Sequence, residues 1–254
     1  MSVHLNNFFP GQPLFIFSLA FSTMDIARRL AGLNFPEGTA VMAEEQLAGR
    51  GTKGRSWHSA RGRGLYVSFI LRPSPRSLNL LPAAVGLAAS EAIQGLSGVR
   101  VSLKWPNDLV VRGQKLGGIL CEGSSSAGKN SWTVAGIGIN LNHRQADFPR
   151  ELSGQATSLF ILTGKNWKAM ELLGQLGSRL KVWYNAVEKG QKDFLLASYL
   201  ERLSFQPGQK LMLRTGEGEL AGQFLGLDEK GGLKLKVDSE TRIFYASEII
   251  RVLS

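Results

Sequence analysis

Residues 101–122 read VSLKWPNDLVVRGQKLGGILCE, in which short apolar runs alternate with polar turns. The runs Val101–Lys104, Leu109–Val111 and Lys115–Glu122 are rich in Val, Leu and Ile, which favours strands over helices. Polar residues separate the first two runs, as expected at a turn between neighbouring strands. The stretch therefore predicts consecutive strands of one sheet.

Further strands and helices are predicted on both sides of this stretch. Ser22-Thr23 offers hydroxyls that can cap a helix start, and a helical run follows as far as Ala31. Alanine and leucine at helical spacing predict a buried helix at Leu80–Leu96. The other predicted elements are strands at Leu14–Ala20, Thr39–Ala43, Leu65–Leu71 and Trp132–Leu141, a loop at 142–158, and helices at Asn166–Glu188 and Lys192–Leu203.

The last part of the chain has a different pattern. Pro207-Gly208 marks a boundary, and short β runs then alternate with turns such as Asp228–Gly232. We predict an α+β protein with a mixed-sheet domain and flanking helices at 1–203. A small C-terminal, SH3-like β-barrel domain is predicted at 204–254.

Composition limits the class of protein. The 254 residues carry a net charge of +10, which suits a phosphate-bearing ligand or an acidic partner, although a solvated basic surface explains it equally well. The single cysteine, Cys121, allows no internal disulfide and fits a reducing compartment. The three histidines, His4, His58 and His143, are far apart in sequence, so no zinc site is expected.

The apolar stretch Leu14–Phe21 is too short to span a bilayer. No basic segment precedes it, and no cleavage pattern follows it. We therefore expect a cytoplasmic protein without a membrane partner.

Three glycine motifs invite a nucleotide-binding interpretation. Gly49–Gly54 satisfies G-x-G-x-x-G, but a loop and a strand follow it, and no acidic residue occurs before the end of that strand, so a dinucleotide fold is disfavoured. The segment 123–130 approaches a phosphate loop but has Asn130 in place of Ser or Thr, and a hairpin turn is favoured. Gly136–Asn140 fits either core packing or close approach of a ligand to a strand.

The segment 49–58 is the strongest local signal. It interleaves glycines with Arg50, Lys53 and Arg55 and ends near Trp57, so it offers backbone N–H groups, cations and a stacking surface. Such a loop can wrap an acyl-adenylate and exclude water from it, and it can also be disordered in the free protein. Lys115, at the start of a glycine-containing strand, is either a pocket lysine or an ordinary edge lysine.

These segments occur together and in a fixed order, and they resemble the biotin protein ligases from about Leu14 to the C-terminus. The segments are Ser22-Thr23, Glu44–Gly51, Gly54–Trp57, Lys104–Asp108, Lys115–Leu120 and Gly136–Asn140. The resemblance implies that biotin reacts with ATP, assisted by Mg²⁺, to give biotinyl-5′-AMP and pyrophosphate. A lysine of a biotin carboxyl carrier protein then takes the biotinyl group and releases AMP.

The resemblance also implies roles for particular residues. Lys115 and Arg50 are the expected catalytic residues, with Lys115 acting on the reacting carboxylate and phosphate. The expected biotin-binding residues are Ser22, Thr23, Met24, Gln46, Gly49, Arg50, Gly51, Thr52, Lys115, Gly118 and Gly136. The expected ATP-binding residues are Arg55, Trp57, Asn107, Asp108 and Asn140. Gly117 and Gly138 would let the ligand lie against the strands, and Mg²⁺ would arrive with ATP near Asn140 without a protein ligand cluster.

Some positions depart from the family pattern. Thr52 stands where many relatives have Arg, and Met24 where some have Asn. Some relatives carry an N-terminal DNA-binding domain, but here Ser22-Thr23 comes so early that we expect no DNA partner. The resemblance leaves monomer and homodimer open. A lipoate or octanoate ligase of related fold is the alternative enzyme, and a nucleic-acid-binding module is the non-enzymatic alternative.

Overall fold

The structure is a computed structural model that describes residues 2–6, 12–124 and 131–253. Most of its strands form one eight-stranded sheet. These strands are β1 (Ser2–Asn6), β2 (Gln12–Phe17), β3 (Ala40–Ala43), β4 (Gly64–Leu71), β5 (Ser102–Lys104), β6 (Asp108–Val111), β7 (Gln114–Gly123) and β8 (Thr133–Asn140). Their order is β1-β2-β3-β4-β8-β7-β6-β5. Only the β2–β3 pair is parallel among these strands, so the sheet is mixed, as predicted.

Helices cover both faces of this sheet. They are α1 (Thr23–Gly32), α2 (Leu81–Ser97), α3 (Leu159–Thr163), α4 (Ala169–Glu188) and α5 (Lys192–Arg202). Alternate residues of β4 supply the two faces: Phe69 packs in the main core with α2 and α4, whereas Ile70 packs with α1. The sheet is therefore buried on both sides near its centre, and α1 begins beside β4 and β8.

Helix α2 is mostly buried and ends at Gly98, whose φ of 73° is a left-handed cap. With the preceding turn, Leu78–Ser97 is long and apolar enough to cross a membrane by length and composition. In this fold it lies between the sheet and α4, and that packing accounts for its apolar character.

The C-terminal strands form a separate five-stranded antiparallel sheet, in the order β12-β11-β10-β9-β13. The strands are β9 (Lys210–Thr215), β10 (Gly218–Leu227), β11 (Leu233–Val237), β12 (Glu240–Phe244) and β13 (Glu248–Leu253). The Trp105 indole donates to the Gly231 carbonyl at 3.1 Å and joins this sheet to the larger domain. The predicted fold class is confirmed, whereas the boundary at 203/204 stays a prediction.

Most predicted elements are present, with a few differences. Strand β2 ends at Phe17, because the chain bends before Ala20, which makes only an isolated bridge with Gln46. Strand β1 and helix α3 were not predicted; α3 is a five-residue helix whose first turn is capped by the Ser158 hydroxyl. The turn predicted at 123–130 falls largely on 125–130, which lies outside the described residues.

Candidate active site

A pocket of about 480 Å³ opens between the glycine-rich loop (residues 49–57), α1, β7 and β8. The segment 148–156 forms another wall, and β13 of the C-terminal sheet reaches the rim. The predicted site residues that line it are Thr23, Met24, Gln46, Arg50, Gly51, Thr52, Arg55, Trp57, Asn107, Asp108, Lys115, Gly118, Gly136, Gly138 and Asn140. Segments far apart in sequence thus converge on one cavity, as expected for a binding site.

One end of the pocket is a polar array around Gln46. The Thr23 N–H and hydroxyl both donate to Gln46 Oε1, at 2.9 and 3.1 Å, and Gln46 Nε2 donates to the Ser59 hydroxyl at 2.9 Å. The Ser68 hydroxyl lies 2.8 Å from that of Thr23. These bonds fix the orientation of the Gln46 amide. The Ser22 hydroxyl is buried nearby, without a hydrogen-bond partner among the described residues.

The floor of the pocket is the glycine-containing strand pair β7–β8, on which the Trp57 indole lies. Gly118 pairs with Gly138 in this ladder. A Cβ at Gly138 would lie 2.5 Å from the indole, and one at Gly118 would lie 3.1 Å from it. The glycines are therefore required for the close approach of Trp57. The indole N–H is buried and has no hydrogen-bond partner among the described residues.

Lys115 and Asp108 form the charged pair of the site. Lys115 Nζ lies 2.6 Å from Asp108 Oδ1 and 5.4 Å from the centre of the Trp57 ring. Lys115 is held from the backbone as well, because its N–H donates to the Gln155 carbonyl and its carbonyl accepts from the Thr157 N–H. Its ammonium group is thus placed inside the pocket by β7 and by the segment beside it.

The two predicted asparagines have structural contacts of their own. Asn107 Nδ2 donates to the Ile119 carbonyl at 3.0 Å, and the Ile119 N–H donates back to the Asn107 carbonyl. Asn140 is buried and donates to the Thr157 carbonyl at 3.0 Å. Both side-chain amide nitrogens therefore donate to neighbouring backbone carbonyls. The side-chain oxygens take part in neither of these two hydrogen bonds.

Arg50 lies at the edge of the pocket between two carboxylates. Its Nη1 lies 3.0 Å from Asp25 Oδ1 and its Nη2 lies 3.2 Å from Glu122 Oε1. Gly49, which was predicted to bind biotin, lies away from the main pocket and lines a shallow neighbouring depression with Glu122. Ser22 likewise lies outside the main pocket wall.

The C-terminal sheet contributes to the site through β13. Glu248 Oε1 lies 3.2 Å from Arg55 Nη1 of the glycine-rich loop. Burial opposes ionisation of Glu248, but the charge and hydrogen bond of Arg55, with Lys53 and Arg214 nearby, hold its pKa below the usual range. The negative charge of Glu248 therefore holds the outer end of the loop.

An aromatic cluster that the sequence did not reveal supports one wall. His58 and Phe148 line the pocket, and the ring of buried His143 stacks on Phe148 with centroids 4.9 Å apart. Burial lowers the pKa of His143 to about 4, with the nearby His58 acting in the same direction. These histidines are 85 residues apart in sequence, so nothing in local spacing could have paired them.

Comparison with known proteins places the chain in a defined class of ligases. The family model "Biotin/lipoate A/B protein ligase family" matches residues 18–142, and "Biotin protein ligase C terminal domain" matches residues 208–252. The bifunctional ligase/repressor BirA of Bacillus subtilis is 34% identical over 94% of this chain and 74% of its own length. The chain belongs to the biotin protein ligase family.

Two further comparisons agree with this assignment. The biotin–acetyl-CoA-carboxylase ligase of Mycobacterium tuberculosis is 30% identical over 89% of this chain and 84% of its own. The structure of the biotin protein ligase from Aquifex aeolicus in complex with biotin and ATP superposes with a TM-score of 0.79. It is 33% identical in sequence and covers 93% of this chain and 97% of that one.

Proposed function

We propose that this chain activates biotin with ATP to biotinyl-5′-AMP and transfers the biotinyl group to a lysine of a biotin carboxyl carrier protein. The observation that carries the proposal is the pocket in which a polar array, a glycine floor and the Lys115–Asp108 pair meet. The reaction that we assign to this pocket follows from membership of the biotin protein ligase family.

The first step joins biotin to the nucleotide. A biotin carboxylate oxygen attacks the α-phosphorus of ATP, an O–P bond forms, and the bond from that phosphorus to the β-bridging oxygen breaks to release pyrophosphate. Negative charge builds up on the phosphoryl oxygens in this step, and a fixed cation stabilises it. We assign that role to Lys115, whose Nζ is held over the pocket by Asp108 and Trp57.

The polar array and the glycine floor suit biotin. The urea group of biotin can donate and accept hydrogen bonds, and Thr23 and Gln46 offer matching groups at one end of the pocket. Met24 and the glycine strands provide an apolar surface for the ring and its chain, with Met24 packed against Gly136. The carboxylate of a ligand bound in this way would point towards Lys115.

ATP would lie on the other side of Lys115, among Arg55, Trp57, Asn107, Asp108 and Asn140. Arg55 supplies a cation for the phosphates and Trp57 a stacking surface. Mg²⁺ commonly binds through substrate phosphates and one or two carboxylates. Asp108 provides one carboxylate in the pocket wall that would help to hold a metal ion delivered with ATP.

In the second step an acceptor lysine amine attacks the acyl carbon. The carbon–oxygen bond to AMP breaks, AMP leaves, and the attacking nitrogen loses a proton. No residue of the chain need form a covalent bond, so catalysis consists of positioning and charge stabilisation.

The test is incubation with biotin, MgATP and a purified carrier domain, followed by mass spectrometry. We expect one biotinyl group on one lysine, with AMP as product. Exchange of labelled pyrophosphate into ATP is expected with biotin and not with lipoate or octanoate. Exchange that depends on lipoate would support the alternative ligase, and salt-sensitive DNA binding without adenylate formation would support the non-enzymatic alternative.

A further inference from the structure

Four charged side chains form a closed ring beside the pocket. Arg28 Nη2 lies 2.8 Å from Asp25 Oδ1, and Arg50 Nη1 lies 3.0 Å from the same oxygen. Arg50 Nη2 lies 3.2 Å from Glu122 Oε1. Arg28 Nη1 completes the ring 3.2 Å from Glu122 Oε2, an ion pair without hydrogen-bond geometry. Both ends of each guanidinium therefore face a carboxylate.

The ring connects three parts of the site that are separate in sequence. Asp25 follows Thr23 and Met24 at the start of α1, Glu122 lies near the end of β7, and Arg50 belongs to the glycine-rich loop. Arg50 and Glu122 line the pocket or the depression beside it, and α1 lines the pocket through Thr23 and Met24. The Arg50 side chain thus attaches the loop to the two elements that carry the polar array and the glycine floor.

The rest of the loop is linked to Arg50 through backbone contacts. Arg50 makes an antiparallel bridge with Ser56, and the Gly51 N–H donates to the Arg55 carbonyl at 2.7 Å. The segment 50–56 is therefore a closed turn whose position follows that of Arg50. Lys53 and Arg55 are exposed on the outside of this turn.

The ring of ion pairs is weak enough to let the loop open. Its side chains are between 28% and 45% exposed, so each ion pair contributes little to stability. Two arginine forks facing two carboxylates nevertheless define one geometry for the loop. A loop held by several weak contacts can open for ligand entry and release without unfolding the domain.

We propose that Asp25 and Glu122 are positioning residues that act through Arg50 to hold segment 50–56 closed over the bound adenylate. This inference rests on the proposed function of the pocket. Asp25 and Glu122 would thus help to retain the intermediate, and Arg50 would attach the loop to α1 and β7. The opposing possibility is that Arg50 binds the ligand carboxylate or phosphate directly, in which case Asp25 and Glu122 compete with the ligand.

Limited trypsin digestion without substrates tests the closure itself. Asp25→Asn and Glu122→Gln should each speed cleavage after Lys53 about threefold, the change expected when a partly exposed ion pair is lost. Cleavage after exposed Lys165 serves as the internal reference. Glu219→Gln breaks an ion pair of the same 3.2 Å length in the C-terminal sheet and should leave cleavage after Lys53 unchanged. Unchanged cleavage in both acid variants would overturn the proposal.

A second experiment measures how fast the enzyme releases the intermediate. The enzyme is loaded with biotin and MgATP without a carrier, freed of excess ligand, and followed as biotinyl-5′-AMP is released. Asp25→Asn, Glu122→Gln and Arg50→Met should each speed release about threefold, and the double variant Arg50→Met/Glu122→Gln should be no faster than Arg50→Met alone. In the acid variants Asp25→Asn and Glu122→Gln, the amount of adenylate formed in the first turnover should stay near the wild-type value.

Two results would contradict this role. Slower release in the acid variants, combined with loss of adenylate formation in Arg50→Met, would show that Arg50 binds the ligand directly. Additive effects of Arg50→Met and Glu122→Gln would show that Glu122 acts independently of Arg50. If the wild-type enzyme forms no adenylate, the proposed function fails, whereas the digestion experiment still decides whether the ring closes the loop. Thermal unfolding of each variant confirms that it is folded.

Discussion

The two main walls of the pocket both contain glycines but are held in place by different forces. The β7–β8 wall is fixed by a continuous backbone ladder in which Gly118 pairs with Gly138. The loop wall, residues 49–57, has one isolated backbone bridge, which lies within the loop. It meets other elements through the packing of Trp57 and the ion pairs of Arg50 and Arg55. Backbone ladders hold positions rigidly, whereas partly exposed ion pairs are weak. The strand wall therefore positions the reacting groups, and the loop wall can move over them.

The largest expected effect is on the strand wall, at Lys115. Lys115→Ala should lower the rate of adenylate formation about 100- to 1,000-fold, the loss typical of removing one group that stabilises transition-state charge. The circular dichroism spectrum and the unfolding midpoint should remain close to wild type. Lys181→Ala, at an exposed position on α4, is the matched control. A wild-type rate in Lys115→Ala would remove Lys115 from the chemical step.

The next largest effect is the pH dependence of folding stability that arises from His143, behind the strand wall. His143 follows β8 and is buried in its neutral form, with a pKa of about 4 compared with 6.5 in an unfolded chain. The unfolded state therefore binds the extra proton first as pH falls. Stability contributed by neutral His143 is complete above about pH 6.5 and is lost towards pH 4, by about 1.4 kcal/mol per pH unit at most.

Urea unfolding between pH 7 and pH 4 measures this dependence. His143→Phe keeps an aromatic ring beside Phe148 and removes the titrating group, so the fall in stability with acid should be shallower than in wild type. An equal slope in both proteins would place the acid sensitivity elsewhere. The charged and titratable groups facing His143 are His58, Arg63, Tyr66 and Asp147.

A smaller effect on stability is expected at Gly138, where the two walls are in contact. The Cβ of Gly138→Ala would press on the Trp57 indole, and we expect a loss of about 1–3 kcal/mol in unfolding free energy. Gly32→Ala adds a methyl group where no heavy atom lies within 4 Å and is the matched control. If unfolding free energy is unchanged but adenylate formation falls, the loop has shifted Trp57 away while the strands stayed in place. That result would sharpen the distinction between a rigid and a movable wall.

The smallest effect concerns the outer end of the loop. Arg55→Met removes an exposed ion pair with Glu248 and should change the unfolding free energy by less than about 1 kcal/mol. The KM for ATP should nevertheless rise, because a cation is lost from the proposed phosphate site. Arg242→Met, on an exposed strand of the small sheet, should change neither quantity. An unaltered KM for ATP in Arg55→Met would remove this arginine from the nucleotide site.

The sequence was most informative where local pattern and tertiary environment agree. Helix α2 was predicted within one residue at each end, because its apolar residues and terminal glycine suit a buried helix. Strands β4, β7 and β8 were predicted from their Val, Ile and Leu content. Helix α3 was missed because a five-residue helix has too few residues for a periodic pattern.

At the site, the motifs were recognisable in the sequence but their contacts with one another were not. The motif residues Asn107 and Lys115 lie in one pocket, as the resemblance implied, and their binding roles stay predictions until tested. Phe148 and Glu248 also line the pocket and had no sequence signal, since each belongs to a segment without a motif. His58 lies at the end of segment 49–58, but no role was predicted for it.

The sequence by itself determined the family, the order of elements and the residue types available for adenylate chemistry, because these depend on local pattern and on motifs in a fixed order. Only the tertiary structure decided which charges meet. Arg50 pairs with Asp25, 25 residues away, and with Glu122, 72 residues away, and no spacing rule predicts either contact. The physical reason is that an ion pair depends on distance in space, and that distance is set by how α1, β7 and the loop pack together.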